Sequence, residues 1–408
     1  MAKKFLYFQP EYVNRFRCTG GRCLNNCCER PWRIDVDTAT YKKYSQVKPK
    51  SKAEEITLHF KYNAEKDTYL LIEHPCPFLT ENKLCRLQLE YGEKFLPQTC
   101  ATYPRVTHKV GKFFERSLTL TCPVAAEKIL FAQEPMKFEF VEVSAKVHDN
   151  HGKIQISTKM KMSDVAAELM IKVQAAMISI LQERTLSIDQ RLIVLCFFVD
   201  KLEEIYSRGM DEDEQRKLIA AYESKNFLAE QVPMMIQSVS FDAEKFVKLM
   251  IDFINSAMEI LRVNAGQKFL AAFEKVFGVK PDKNNIVSIT EIATNYERLA
   301  DARKIFLADY STFLENYLVN ELFLNLYPWK HHYRPSRSLS VFLITYKVFE
   351  LFVFAATQNN LSSKNDLLTL VDWYSSQIDH SDFLKEKIFA YLEEQKDFFE
   401  LMETLFDK

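Results

Sequence analysis

The sequence predicts a mainly α-helical protein: a small loop-rich, cysteine-rich domain with short strands, followed by an irregular helical bundle. Three observations carry that expectation. Only 8 glycines and 13 prolines occur in 408 residues, and a scarcity of chain breakers favours long helices. Apolar residues recur at three- and four-residue steps from Ser163 onward, one face of a helix. Eight of the nine cysteines fall within the first 122 residues, too few positions for random scatter. The apolar share of 47% and charged share of 27% are those of a globular chain and exclude disorder as the main state. A net charge of −1 leaves no global field to attract nucleic acid. Expected organisation is a cysteine-rich domain at 1–125, a connection at 126–160 and a helical domain at 161–408.

The elements follow in order. Five residues between Lys4 and Pro10 are too few for a signal-peptide core, so the cytoplasm is the expected compartment. Residues 38–44 read as a helix with Asp37 as N-cap. Residues 68–73 (TYLLIE) and 112–122 read as short strands, and 84–92 as a short helix stopped by Gly92. Weak β character marks 126–160. Val165, Leu169, Val173, Ala176, Met177, Ile180 and Leu181 share one helical face. Ser187 and Gln190 form a capping-box pattern opening the next helix. Gly209 with the acidic run 210–214 marks a turn, and Pro233, the 278–281 stretch and the 328–335 stretch mark further breaks. The run 341–356 (VFLITYKVFELFVFAA), interrupted by Lys347 and Glu350, reads as a buried core helix. Self-association as a homo-oligomer, or contact with a membrane surface, is the alternative use of such a run.

The cysteines carry the chemistry. Cys18, Cys23, Cys27 and Cys28 form C-x4-C-x3-CC; after 47 residues come Cys76, Cys85, Cys100 and Cys122 as C-x8-C-x14-C-x21-C. A reducing cytoplasm turns clustered thiols toward metal or redox chemistry. Zinc ribbons use paired C-x2-C knuckles, absent here, and adjacent Cys27 and Cys28 point apart, so the spacing leans to an iron–sulfur cluster. Structural zinc and structural or redox thiols stay open. Pro75, Pro77 and Pro123 flank thiols and stiffen their loops. The first 50 residues hold 11 Lys and Arg against 4 Asp and Glu, a positive surround suited to thiolates or equally to a solvated face. Cys196, in LIVLCFFV, reads as a small buried hydrophobe. Glycine-rich dinucleotide turns, P-loops, G-x-S-x-G, H-E-x-x-H and the radical-enzyme C-x3-C-x2-C spacing are all missing.

The segments QPEYVNRFRCTGGRCLNNCCERPWRIDVDTATYKKY, CPFLTENKLCRLQLEYGEKFLPQTCATYPRV and SLTLTCPVAAEKIL resemble the N-terminal signatures of the bacterial flagellin lysine-N-methylases. FLENYLVNELFLNLYPW at 313–329 resembles their C-terminal helical signature. Arg30-Pro31 before Trp32 departs from the shorter, glycine-containing link expected after the paired cysteines. The resemblance implies a cytoplasmic enzyme that transfers methyl groups from S-adenosylmethionine to lysine ε-amines of flagellin. It also implies a [4Fe–4S] cluster held by a subset of four among Cys18, Cys23, Cys27, Cys28, Cys76, Cys85, Cys100 and Cys122, with the other thiols binding a second metal or packing. Such a cluster would bind the donor, pass an electron or fold the domain. A sulfonium donor suits an aromatic wall, for which Tyr7, Phe8, Tyr12, Phe16 and Trp32 are candidates. Arg17, Arg33 and Arg105, with Trp32, are the candidate donor-binding residues; no residue is singled out as catalytic. A non-catalytic zinc- or iron-binding interaction protein and an electron-transfer module are the competing readings. No nucleic-acid partner is expected.

Overall fold

The computed structural model describes residues 4–144, 156–262, 266–279, 288–329, 334–378, 386–388, 390–392 and 398–406. The chain divides into two compact units: Met1–Ala125 with Lys137–Asp164, and Ala126–Met136 with Val165–Lys408.

Among the described residues, the first unit holds eight strands: β1 (Lys4–Pro10), β2 (Asp35–Asp37), β3 (Phe60–Asn63), β4 (Thr68–Leu71), β5 (Arg105–Val110), β6 (Phe113–Leu118), β7 (Phe138–Ser144) and β8 (Ile156–Met160). They form a five-stranded sheet ordered β7-β1-β6-β5-β8 and a three-stranded sheet ordered β2-β4-β3. β5 and β6 are a hairpin whose register closes at Val110 opposite Phe113. Gly111, at φ +53°, makes the left-handed turn between them without Cβ strain. β6 is nearly all buried because strands flank it on both sides. The segment expected as a connection instead supplies both edges of this sheet. FEFVEVS in β7 pairs antiparallel with β1 from Lys4 opposite Ser144 to Pro10 opposite Phe138. Residues 145–155 of that connection lie outside the described residues.

The smaller sheet carries two helices. Asp37 Oδ1 accepts from the Thr40 backbone N–H at 2.8 Å and starts helix Thr38–Ser45. Helix Lys50–Thr57 follows. Val36, Tyr44, Ala53, Ile56, Leu71, Phe78 and Leu87 form the core here, and the Tyr44 hydroxyl donates to the Phe95 carbonyl at 2.6 Å. The next helix, Arg86–Tyr91, stops at Gly92, whose φ is +80°. This small core fixes the loops at 74–85 and 95–104 that carry Cys76, Cys85 and Cys100.

The second unit is a helical bundle. Helix Asp164–Leu181 buries Leu169, Val173, Ala176, Met177, Ile180 and Leu181; Val165, in its first turn, is exposed. Helix Ile188–Ser207 opens with both halves of the capping box, Gln190 N–H to Ser187 Oγ at 3.2 Å and Ser187 N–H to Gln190 Oε1 at 3.0 Å. Gly209, at φ +110°, turns the chain, and Asp211 caps helix Glu212–Glu223. Pro233 does not break the chain as expected. It lies inside helix Lys225–Ser238, where its missing N–H forfeits one bond while neighbouring turns hold. Gly278, at φ +72°, ends helix Gly266–Phe277; residues 280–281 and 330–333 of the other expected breaks lie outside the described residues.

Helix Pro335–Gln358 contains the apolar run. Among the described residues it is the one helix long and apolar enough to cross a membrane, and 94% of its apolar window is buried within the protein. Its apolar faces are covered by the bundle's own helices, including Ile188–Ser207, Gly266–Phe277 and Ser311–Leu324. Tyr317 stacks on Phe349 at 3.8 Å between centroids. Charges inside this core are paired. Lys347 Nζ lies 2.5 Å from Asp189 Oδ1 and 3.1 Å from Glu350 Oε2. Buried Glu315 accepts from Arg184 and Arg191, each at 2.8 Å. Such networks are retained only where every ion has a partner.

Candidate functional site

A cavity of about 330 Å³ lies in the first unit, within the range of about 300–1,000 Å³ usual for small-ligand pockets. All eight N-terminal cysteines line it. They arrive from separate pieces of chain. Cys18 and Cys23 flank a short turn at Gly20–Arg22, and Cys27 and Cys28 sit in another at Cys27–Glu29. The Cys76 backbone N–H donates to the Cys28 carbonyl at 2.9 Å. Cys85 precedes helix Arg86–Tyr91, and Cys100 lies in helix Gln98–Thr102. Cys122 precedes helix Pro123–Leu130. All of these thiols, and Cys196, are free of disulfides.

The thiols differ in acidity because their surroundings differ. The neighbouring Cys28 thiol favours the thiolate forms of Cys27 and Cys76 and lowers both below the ordinary thiol value. Cys28 is pushed up in turn, because its proton is held by Cys27 and Cys76. Burial pushes Cys122 up to about 12, and raises Cys23 and Cys85 as well. Part of the thiol set therefore ionises more readily than an ordinary thiol, and part becomes a ligand only if a metal displaces its proton.

Among the described residues, no three Cys, His, Asp or Glu side chains converge tightly enough to hold one metal ion. The domain expected as a metal domain is thus a thiol-lined cavity and not a formed single-ion site. A tetrahedral zinc centre needs four donors about 2.3 Å from one point. Eight thiols around one cavity are donors of the kind that both structural zinc and thiolate-held clusters use.

Cations and aromatics complete the wall. Arg17 and Arg105 both line the cavity. Arg105 stands 5.2 Å over the Phe16 ring, and burial, then the Arg17 charge, lowers its pKa. Arg30 stands 5.1 Å over Trp32, and Trp32 meets Tyr103 edge-on at 4.8 Å. The Tyr103 hydroxyl is 3.3 Å from Thr121 Oγ1, and burial pushes its pKa up. Arg33 is not brought to this cavity. It pairs with Asp35 at 3.1 Å on the surface.

Of the five aromatic candidates, Phe16 and Trp32 line the cavity. Tyr7, Phe8 and Tyr12 do not: β1 uses Tyr7 and Phe8 as sheet packing, and Tyr12 opens the short helix Tyr12–Arg15. Tyr7 stacks on Phe114 at 5.1 Å beneath Arg116, Phe8 packs on Phe138 and Phe140, and the Tyr12 hydroxyl meets Ser117 at 3.0 Å. Tyr103 and Arg30 are the wall residues that sequence reasoning passed over. Their signals are adjacency to Cys100 for the first and to Cys28 for the second. Cys196 is fully buried in helix Ile188–Ser207, where desolvation raises its thiol well above the ordinary value.

Residues 174–405 match the C-terminal domain of the FliB lysine N-methylase family. Over 134 residues the chain is 33% identical to a lysine-N-methylase of Salmonella typhimurium, covering 31% of this chain and 33% of that protein. It is 32% identical, over the same length, to the flagellar biosynthetic protein FliU of Salmonella muenchen, covering 79% of that protein. The lysine-N-methylase of Salmonella choleraesuis is likewise 32% identical over 33% of its length. The chain thus spans about a third of the length of the lysine-N-methylases it matches. No solved structure matches it.

Proposed function

This chain belongs to the FliB lysine N-methylase family, and from that premise we propose that it methylates lysine ε-amines of flagellin, using S-adenosylmethionine and a [4Fe–4S] cluster held in the thiol-lined cavity. The observation that carries the reading is the gathering of all eight N-terminal cysteines around one cavity, together with Arg17, Arg105 and Trp32. Four thiolates hold one such cluster, so four of the eight remain for a second centre or for packing. When bound, the cluster would supply an electron, or, with one of the four thiolates displaced, an iron able to take the donor's amino and carboxylate groups.

The chain's own residues have definable tasks. Arg17 and Arg105 present fixed positive charge that suits the donor's carboxylate. Trp32, already the platform for one cation, Arg30, suits a sulfonium. In the transfer, a methyl leaves the sulfonium sulfur for the lysine nitrogen, the sulfur keeps the bond pair as a thioether, and the nitrogen sheds a proton. The attacking amine must be neutral, although lysine titrates near about 10.4 in water. Burial in a largely apolar pocket and the nearby guanidinium groups both favour the neutral amine. We propose the cytoplasm as the compartment of the reaction.

The test is oxygen-free incubation of the purified protein with methyl-labelled S-adenosylmethionine and flagellin, followed by peptide mass mapping. Methyl increments on flagellin lysines are the expected result. Absence of both methyl transfer and donor binding contradicts the proposal and favours a metal-binding interaction protein.

A further inference from the structure

Thiols from distant stretches of chain present a common face only if their loops are locked together, and the lock here centres on a residue that is not itself a thiol. Asn26 is buried, with 6% of its surface exposed. Its Oδ1 accepts from the Cys28 backbone N–H at 2.9 Å, and its Nδ2 donates to the Lys83 carbonyl at 2.8 Å. One amide thus bonds both to the loop of Cys27 and Cys28 and to the loop between Cys76 and Cys85.

The second loop is a rigid abutment. Residues 80–84 form a tight turn closed by Thr80 N–H to Leu84 O at 2.9 Å and Lys83 N–H to Thr80 O at 2.8 Å. The Thr80 hydroxyl accepts from the Leu84 N–H at 3.1 Å, and Lys83 adopts φ +56°. The first loop meets it backbone to backbone. A Cβ on Gly21 would lie 2.2 Å from the Asn82 carbonyl oxygen, a contact no side chain can make. A Glu29–Lys83 ion pair at 3.0 Å and the Cys76-to-Cys28 backbone bond at 2.9 Å complete the seam. Each contact sits beside a thiol that lines the cavity.

We propose that Asn26, seated against the Gly21–Asn82 contact, is a positioning residue that presets the sulfur cage of Cys27, Cys28, Cys76 and Cys85 for a thiolate-bound metal cluster. This rests on the cluster reading for its metal arm only; the geometry of the metal-free cage is a separate claim. Outer-shell partners of this kind are worth about 10- to 100-fold in metal affinity.

The experiment compares wild type with Asn26→Ala, Asn26→Asp and Gly21→Ala. Asp37→Ala serves as control, removing a helix cap in the same unit away from the cavity. Two quantities are read on folded protein, as judged by circular dichroism. One is the rate of iron loss to a chelator after oxygen-free isolation. The other is cross-linking of metal-free protein by phenylarsine oxide, which joins two neighbouring thiols with loss of water, mapped by mass spectrometry. Asn26→Ala and Gly21→Ala are expected to lose iron about 10- to 100-fold faster and to cross-link Cys28 to Cys76 several-fold less. Asn26→Asp, which keeps the acceptor but not the donor, should fall between them and wild type, while Asp37→Ala matches wild type in both. Unchanged cross-linking in Asn26→Ala, or an equal loss in Asp37→Ala, overturns the proposal. Iron-free wild type whose cross-linking still depends on Asn26 would sink the cluster reading and leave the clamp standing.

Discussion

Replacement of Lys347 by methionine is expected to destabilise the helical unit by about 3–5 kcal/mol, because it strands two buried carboxylates. Lys347 is 2% exposed, and its ammonium lies 2.5 Å from Asp189 and 3.1 Å from Glu350. The loss should also depend on pH in a defined direction. Burial raises Asp189 from 3.8 to about 6 even with the ammonium opposing it. The folded state therefore binds a proton that the unfolded state has released, so this group's contribution to stability falls as pH rises from 3.8 to about 6. Without Lys347 the folded value climbs further and the falling window widens upward. The deficit of Lys347→Met against wild type should be larger near pH ~8 than near pH ~5. Urea denaturation midpoints at the two pH values measure it. An equal deficit at both would show that Asp189 is not the group that titrates in the core.

Replacement of Cys76 by serine is expected to remove the bound metal and the activity together, with turnover down by at least about 100-fold. Cys76 is the thiol at which two cysteine-bearing loops meet, through the bond from its backbone N–H to the Cys28 carbonyl at 2.9 Å. Serine keeps the backbone bond and the shape. It substitutes a hard, weakly acidic oxygen for a soft thiolate, which iron–sulfur chemistry requires. Cys100→Ser, at another point on the same cavity, should behave alike. Cys196→Ser, deep in the helical unit, should lower stability while leaving metal content unchanged. Iron analysis, the visible spectrum and the methylation assay on the three variants decide the matter. Full activity in a Cys76→Ser protein devoid of metal would refute a cluster-dependent reaction.

Local signals were legible in the sequence where local chemistry decides the outcome. Asp37, Ser187 with Gln190, and Gly92 act within one turn of chain, and each starts or stops its helix as its residue type dictates. The clustering of eight thiols was likewise visible, since loops around a common small core bring them to one cavity. Non-local pairing was not legible. β1 carries Tyr7 and Phe8 into a sheet completed by β7 and β8, more than 120 residues onward, and no local pattern states that partnership. Among the arginine candidates, Arg17 and Arg105 line the cavity and Arg33 does not, for a simple geometric reason. Approaching β2, the side chains alternate: Trp32 and Ile34 face the cavity, while Arg33 and Asp35 face outward and pair. Arg30, two residues before Trp32, therefore shares its side and stacks on it. Composition could nominate the basic segment but not choose among its members.

The account rests on what the thiol-lined cavity holds. The most direct measurement is iron, acid-labile sulfide and zinc content, with the visible spectrum, on protein purified without oxygen. Iron and sulfide in equal amounts, about four of each per chain for one [4Fe–4S] cluster, is the predicted result. Zinc alone, in protein never exposed to oxygen, would contradict it and leave the methyl transfer without its proposed cofactor.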